Sequence, residues 1–381
     1  SSVAAALLLE QGYDVVGCFM RLGSPDEASE GLIRADTAEP DACCTSPKTP
    51  DGPAAAKAHK QGCCSVGDAH DARLVAAALG VPLYICNFQQ DFGKIVDYFV
   101  TEHQAGRTPN PCVRCNDWLK FGKLHDYARQ IGAAYVASGH HARIVRVDGR
   151  AELWRGVDDA KDQSYVLFGA SRQRLSEMLL PVGEMTKPEV RSLAQSLDLP
   201  VFDKPDSQEI CFVPDQDHVA FVEQRAPELR HAGGDIIDTA GKVVGKHRGR
   251  HAFTIGQRRG VGVALGRPIY VVDKDPVSNT VTVGDKEDLA IRGLTAHQTN
   301  WTTHEGVEDD LQQGMPALVQ YRAHGPQTPA LIHFDPETDA LTVRFETPAI
   351  GVSPGQAVVC YDAHEPQRVL GGGWISTTRR A

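Results

Sequence analysis

The chain has 381 residues, enough for two or three domains with a sizeable core. Its 41% hydrophobic and 23% charged fractions are those of an ordinary globular protein, and no run reaches the ~18–20 apolar residues of a membrane span. The formal net charge of −10 argues mildly against nucleic acid as a partner, although binding depends on local patches rather than on the average. The opening run Val3–Leu9 lacks the basic start and cleavage site of a signal peptide, so a cytoplasmic protein is expected, with no membrane contact. Val3–Glu10 reads as a helix closed by Gly12, and Tyr13–Met20 as a buried strand. Residues 24–62, rich in Pro, Ala, Asp, Thr and Ser without periodicity, read as a long surface insertion. A helix is expected over Asp68–Leu79, a strand over Leu83–Asn87 and a helix near Phe92–His103. A Pro/Asn/Cys loop at 108–116, a helix at 117–131 and a strand at Ala134–Ala137 follow. This alternation is the α/β pattern of a parallel sheet. After about residue 222 short β-branched strands take over, as at Ile269–Val272, Thr280–Val283, Ala317–Tyr321 and Ala340–Phe345. They suggest a small linking domain and then a barrel.

Ten cysteines in a large chain without a signal point to catalysis, metal binding or plain core rather than to a disulfide framework. Cys18, Cys86 and Cys360 lie in apolar, strand-like runs and read as core. Thr108–Asn116 holds a Cys-x-x-Cys pair, Cys112 and Cys115, in a loop that two prolines stiffen as it enters a helix. A helix start favours the reactive thiolate, and half of a zinc site is the competing reading. The other half could be Cys43-Cys44 or Cys63-Cys64, but vicinal pairs do not have Cys-x-x-Cys ligand spacing. Asp206–Phe212 carries a lone Cys211, which reads as core unless the fold brings it to the pair. Ser1 and Ser2 open a helix whose start could meet phosphate, or simply cap it. Gly139-His140 follows a strand, at the edge where α/β sheets bind ligands. Lys161–Tyr165 is a polar cluster that could touch phosphate or base, or start a helix. The acid-free stretch Gly241–Gly260 holds Lys242, Lys246, Arg248, Arg250, Arg258 and Arg259 with His247 and His251, either a solvated loop or a nucleic-acid contact.

In their order along the chain these motifs resemble the tRNA-specific 2-thiouridylase family of the ATP-pyrophosphatase superfamily. The resemblance rests on Cys63-Cys64-Ser65, Gly106–Asn116, Gly139-His140, Lys161–Tyr165, Asp206–Phe212, Thr254–Gly260, Tyr270–Lys274 and Ser353–Ala357. Residues 1–5 look like the tail of that family's Ser-Gly-Gly-Val-Asp-Ser-Ser phosphate loop, which implies a chain given without the loop's first half and therefore weak in ATP binding and turnover. The family fold implies an ATP-pyrophosphatase domain over 1–222, a small tRNA-binding domain over 223–289 and a β-barrel over 290–381. The implied reaction is 2-thiolation of the wobble uridine in tRNAs of the Lys, Glu and Gln type, with ATP and Mg. A sulfur-relay protein or cysteine desulfurase would load a persulfide on Cys211. Cys115 would act as the second thiol, releasing the sulfur through a disulfide or joining the attack. Ser1, Ser2, Met20 and Gly139 fall at positions that contact ATP, and Asn110, Pro111 and Cys112 at those that meet the target base. His140, Lys161, Asp162, Gln163, Arg322, Ala323 and Gln356 fall at tRNA contacts. Cys112 stands where many members carry an acid, which raises an iron–sulfur cluster on Cys112, Cys115 and Cys211 as a further expectation. The rivals are another enzyme of the superfamily, a zinc-stabilised RNA-binding protein without catalysis, and a paralogue that only binds tRNA.

Overall fold

The structure, a computed structural model, describes residues 1–23, 66–204, 210–213, 217–303 and 307–380. The expected insertion, the two vicinal cysteine pairs and residues 206–209 of the Cys211 motif lie outside them. The N-terminal half is α/β. β1 (Gly17–Arg21) pairs parallel with β2 (Leu83–Asn87), Gly17 opposite Leu83 and Arg21 opposite Asn87. Helices Ser2–Glu10, Val66–Leu79 and Gln89–Gln104 alternate with them. β3 (Val136–Ala137) is followed by β4 (Ala142–Val147) and β5 (Arg150–Arg155), then by β6 (Met178–Leu179), which pairs parallel with β3. Asp148 and Gly149 turn β4 into β5 with φ of 50° and 78°, the left-handed pair that a tight hairpin demands.

β7 (Gly234–Asp238), β8 (Val243–His247), β9 (Tyr270–Asp275) and β10 (Thr280–Gly284) form one sheet in the order β8-β7-β10-β9. β11 (Ala290–Trp301), β12 (Met315–Gln320), β13 (Thr328–Asp335), β14 (Ala340–Ile350), β15 (Ala357–Asp362) and β16 (Val369–Arg380) close a barrel in the order β11-β14-β13-β12-β15-β16. Closure removes the open strand edges. On β13 and β14 every second residue points inward: Ala330, Ile332, Leu341, Val343 and Phe345. β15 departs from that alternation. Val358 and Cys360 enter the barrel core, while Ala357, Val359 and Tyr361 enter the core of the N-terminal half with Val113, Phe121, Tyr165 and Leu175.

Three local expectations are corrected. The first strand starts at Gly17 rather than Tyr13, and the Tyr13 ring instead meets the Tyr135 edge at 6.1 Å. The strand expected at 134–137 is confined to Val136 and Ala137. The cysteine pair is not in a loop: Pro111–Arg114 is already helical, and Cys115–Lys123 continues as a π-helix before the α-helix Leu124–Gln130.

Helix Gln89–Gln104 also packs a buried imidazole against the central region. His103 stacks on His218 at 5.4 Å, and Lys274 and His251 add positive charge nearby. Burial first, then those charges, holds His103 neutral, with its pKa lowered to about 3. A histidine whose folded pKa is lowered contributes stability that is fully present above the unfolded value near 6.5 and is lost as pH falls toward the folded value. Urea unfolding is therefore expected to show stability falling between pH 6.5 and 4 by about 1.4 kcal/mol per pH unit for this imidazole. The His103→Gln variant should show a shallower fall; an unchanged slope would exclude His103 as its source.

Candidate active site

Chain entry into the cysteine helix is set by local chemistry. Gly106, at φ +75°, ends the preceding helix, and Arg107 folds back onto Glu102 with a two-point contact at 2.6 and 2.5 Å. Asn110 caps the next helix by accepting from the Val113 amide at 3.3 Å, and Pro111 occupies the first turn, where its missing N–H is harmless. Asn116 donates back to the Cys112 carbonyl at 3.0 Å. The wide π turn tolerates only glycine at 122, where a Cβ would lie 2.6 Å from the Asp117 carbonyl oxygen. Arg114, between the two cysteines, lies over the rings of Trp374 at 3.8 Å, Trp118 at 5.0 Å and Tyr98 at 5.3 Å, and donates to Gln298. Desolvation works against its charge, and the three ring faces offset it.

Cys211 is held by its neighbour. Phe212 meets Phe92 at 5.5 Å, Phe99 at 5.3 Å and Phe221 at 5.3 Å. Cys115 and Cys211 both border this apolar cluster, as do Met20 and Cys18, whereas Cys112 is exposed. The helix start therefore bears first on Cys112, and Cys115 sits a turn further in. Cys18 and Cys86 approach with Sγ atoms 3.1 Å apart, and burial, with Cys86 beside it, pushes the Cys18 thiol far up. Burial in the barrel pushes Cys360 up to about 12. Both settings disfavour the thiolate, in keeping with a core role.

Ser1 and Gly139 come together. A Cβ at Gly139 would lie 2.4 Å from the Ser1 nitrogen, so only glycine lets the helix start reach this strand end. Lys187 and Lys120 lie near Ser1, and Lys120 acts electrostatically on His140. His140 bonds Ser138 Oγ at 2.7 Å, and burial first, then Lys120, holds it neutral. Ser2 is partly buried beside them, while Met20 lies with the cysteine cluster.

The Lys161–Tyr165 segment is fastened inward. The Asp162 side chain, 5% exposed, accepts from Arg155 Nε at 2.9 Å, Gly156 N at 3.0 Å, Ser164 N at 3.1 Å and Ser164 Oγ at 2.8 Å. Gln163 Oε1 accepts from the His141 amide at 2.9 Å. Ser164 reaches Tyr361 Oη at 3.2 Å, which donates to Gln320 at 3.1 Å; Gln320 in turn donates to the carbonyls of Arg322 and Ala323. Arg322 itself is exposed.

Three family models match in succession: a tRNA methyl transferase HUP domain over residues 48–215, a tRNA methyl transferase PRC-barrel domain over 220–285 and an aminomethyltransferase beta-barrel domain over 291–375. The tRNA-specific 2-thiouridylase MnmA of Rhodopirellula baltica is 50% identical over 382 residues, 99% of this chain and 93% of the relative. Those of Solibacter usitatus and Heliobacterium modesticaldum are 40% and 42% identical, over 98% of this chain and 96% and 89% of their own lengths. The chain belongs to the tRNA-specific 2-thiouridylase family. It is a family of transferases, and the HUP, PRC-barrel and β-barrel descriptions agree with the parallel sheets and closed barrel seen here. The domain descriptions speak of methyl transfer; the full-length relatives, matched from end to end, carry the more specific information.

For this 2-thiouridylase, sequence reading missed Lys120, Lys187 and Arg114. The two lysines lie far apart in the chain and carry no motif, and the aromatic partners of Arg114 come from three separate segments. The cluster expectation is not met: among the described residues no three His, Cys, Asp or Glu side chains converge, so Cys112, Cys115 and Cys211 form no ready ligand set. The basic stretch is also partly spent inside the fold. Lys246 pairs with Asp235 at 3.0 Å, Arg250 donates to Gln104 O and Asn279, and His247 and His251 are buried, while Lys242, Arg248, Arg258 and Arg259 are exposed. Asp162→Ala would leave the Gly156 and Ser164 amides and the Ser164 hydroxyl without their acceptor, so it should lower unfolding stability by about 3 kcal/mol in urea. A shift near zero would mean that these donors find other partners once the carboxylate is gone.

Proposed function

We propose that this member of the family thiolates the wobble uridine of tRNA at C2, using ATP and a persulfide carried on Cys211. The observation that carries the reading is the shared border of Cys115 and Cys211 on one apolar cluster, with Cys115 on a rigidly held helix. A pair of thiols is what sulfur delivery requires, one to carry the sulfur and one to release it.

In this reading Ser1, Ser2, Gly139 and Met20 face the nucleotide, and Lys120 and Lys187 supply positive charge for its phosphates. Magnesium would arrive on those phosphates, since no three-donor metal group is present among the described residues. ATP supplies the adenylyl group that turns the C2 oxygen into a leaving group, with release of pyrophosphate. The terminal sulfur of the Cys211 persulfide attacks C2 and AMP departs, leaving C2 joined through two sulfurs to the protein. The Cys115 thiolate then attacks Cys211 Sγ, the S–S bond breaks, and the outer sulfur stays on C2 as 2-thiouridine. The Cys115–Cys211 disulfide left behind is reduced by an external thiol before a sulfur-relay protein or cysteine desulfurase reloads Cys211.

Asn110, Pro111 and Cys112 line the approach of the target base, which has to leave its stack to reach C2 chemistry. Arg322, Lys161 and the exposed cations of 241–260 contact the tRNA backbone. His140, Asp162, Gln163 and Ala323 serve the same surface by fixing its backbone. The division into 1–222, 223–289 and 290–381 assigns catalysis to the first unit and RNA contacts to all three. Specificity for tRNAs of the Lys, Glu and Gln type belongs to this proposal, as does a cytoplasmic setting where thiols stay reduced.

The test is incubation of the full-length protein, phosphate loop included, with ATP, a persulfide donor and unmodified tRNA, with 2-thiouridine read by nucleoside mass spectrometry. The parent should make product, and Cys211→Ser should carry no persulfide and make none. Cys115→Ser should still load persulfide but stall with tRNA joined to the protein through a reducible bond. Product from Cys211→Ser at the parent rate would sink the carrier assignment.

A further inference from the structure

We propose that the C-terminal barrel takes part in the reaction through Gln356, acting as the positioning residue of the cysteine helix. The Gln356 side-chain nitrogen donates to two consecutive carbonyls, Thr108 O at 2.9 Å and Pro109 O at 3.1 Å. These are the last two peptide groups before the Asn110 cap. In the opposite direction the Thr108 amide donates to Pro354 O at 2.9 Å. Gly355 lies flush between them at φ +90°, where a Cβ would stand 2.9 Å from Arg107 Cβ and 3.0 Å from the Thr108 nitrogen and oxygen. The turn cannot drift, because it is stapled to the barrel: Gly355 N donates to Ile375 O at 2.8 Å and Ile375 N to Gln356 O at 2.9 Å. One residue on, the Ala357 carbonyl accepts from Tyr165 Oη at 2.9 Å.

Donor counting separates this role from RNA contact. A side-chain amide nitrogen has two hydrogens, and both acceptors here are protein carbonyls. Gln356 therefore has no side-chain N–H left for RNA while the cysteine segment is in place. Pro111–Arg114 is the first turn of a helical run that continues to Gln130, and a helix start has no earlier turn to hold it, so the carbonyls clamped by Gln356 fix where Cys112 and Cys115 point. The turnover part of this inference rests on the sulfurtransferase reading above.

The experiment uses the full chain and the variants Gln356→Leu, which removes both donors, and isosteric Gln356→Glu, which sets a carboxylate against two carbonyls. Four quantities are read: tRNA affinity by filter binding, kcat and KM for 2-thiouridine formation, and the rate of Cys115 alkylation by iodoacetamide without tRNA or ATP. Both variants are expected to lose about tenfold to a hundredfold in kcat. They should keep the parent's tRNA affinity and KM, and alkylate Cys115 at a changed rate. Gly355→Ala, which presses on the same segment and leaves Gln356 intact, should show the same pattern. Weaker tRNA binding and higher KM with unchanged kcat and unchanged alkylation would overturn the proposal and make Gln356 an RNA contact. Unchanged values throughout would overturn it as well. If the parent itself makes no 2-thiouridine, the function proposed above fails, while alkylation and tRNA binding still decide the role of Gln356.

Discussion

Strand β15 has to be buried on both faces, and the rest of the arrangement follows from that. Its first five residues, Ala-Val-Val-Cys-Tyr, carry no charge because neither face has water to offer, and Asp362 follows only where the strand leaves the core. Alternate side chains feed two cores: Val358 and Cys360 fill the barrel, and Ala357, Val359 and Tyr361 fill the layer beneath the cysteine helix. The two bodies share a strand as a common wall and cannot part without exposing it. The single polar atom on the buried run, Tyr361 Oη, is satisfied from both sides, by Ser164 of the catalytic half and Gln320 of the barrel.

That wall matters because the cysteine helix is poorly equipped to stand alone. Cys112 and Cys115 sit at the very start of the helical run 111–130, where the first N–H groups have no partner within the helix and Pro111 has no N–H at all. The deficit is made up from outside. Asn110 caps the start, Trp374 of β16 takes the face of Arg114, and the turn leading into β15 binds the carbonyls of Thr108 and Pro109. The segment that leads into Cys112 and Cys115 is thus held in part by Gln356, 248 positions after Thr108.

Such long-range dependence explains what sequence reading could and could not reach. β2 was legible to the residue because Leu83–Asn87 is a short apolar run between Pro82 and a helix start. Helix Gln89–Gln104 was legible from its apolar stripe, Phe92, Ile95, Phe99 and Val100. The π-helix was not, since its register depends on Gly122 clearing the Asp117 carbonyl, a contact without a periodic signature. Nor was the short extent of β3, whose two residues are strand only because β6 lies beside them. At the site, motif order named the cysteines, but only the fold shows Cys115 and Cys211 on one cluster with Cys112 outside it. Arg114 escaped notice because Tyr98, Trp118, Gln298 and Trp374 meet it from four places in the chain.

A residue in a motif shared with an RNA-acting family need not touch RNA, and valence decides the matter. Asp162 accepts four hydrogen bonds, which fill the lone pairs of a carboxylate, and an acid is in any case ill suited to meet a phosphate. Gln163 gives its oxygen to the His141 amide, and that bond aligns the loop carrying Gly139 and His140 with the loop carrying Lys161. The groups that remain turned outward, Arg322, Lys242, Arg248, Arg258 and Arg259, are all cationic. A net charge of −10 does not keep such a chain from a polyanion, because binding follows local charge and these cations are exposed.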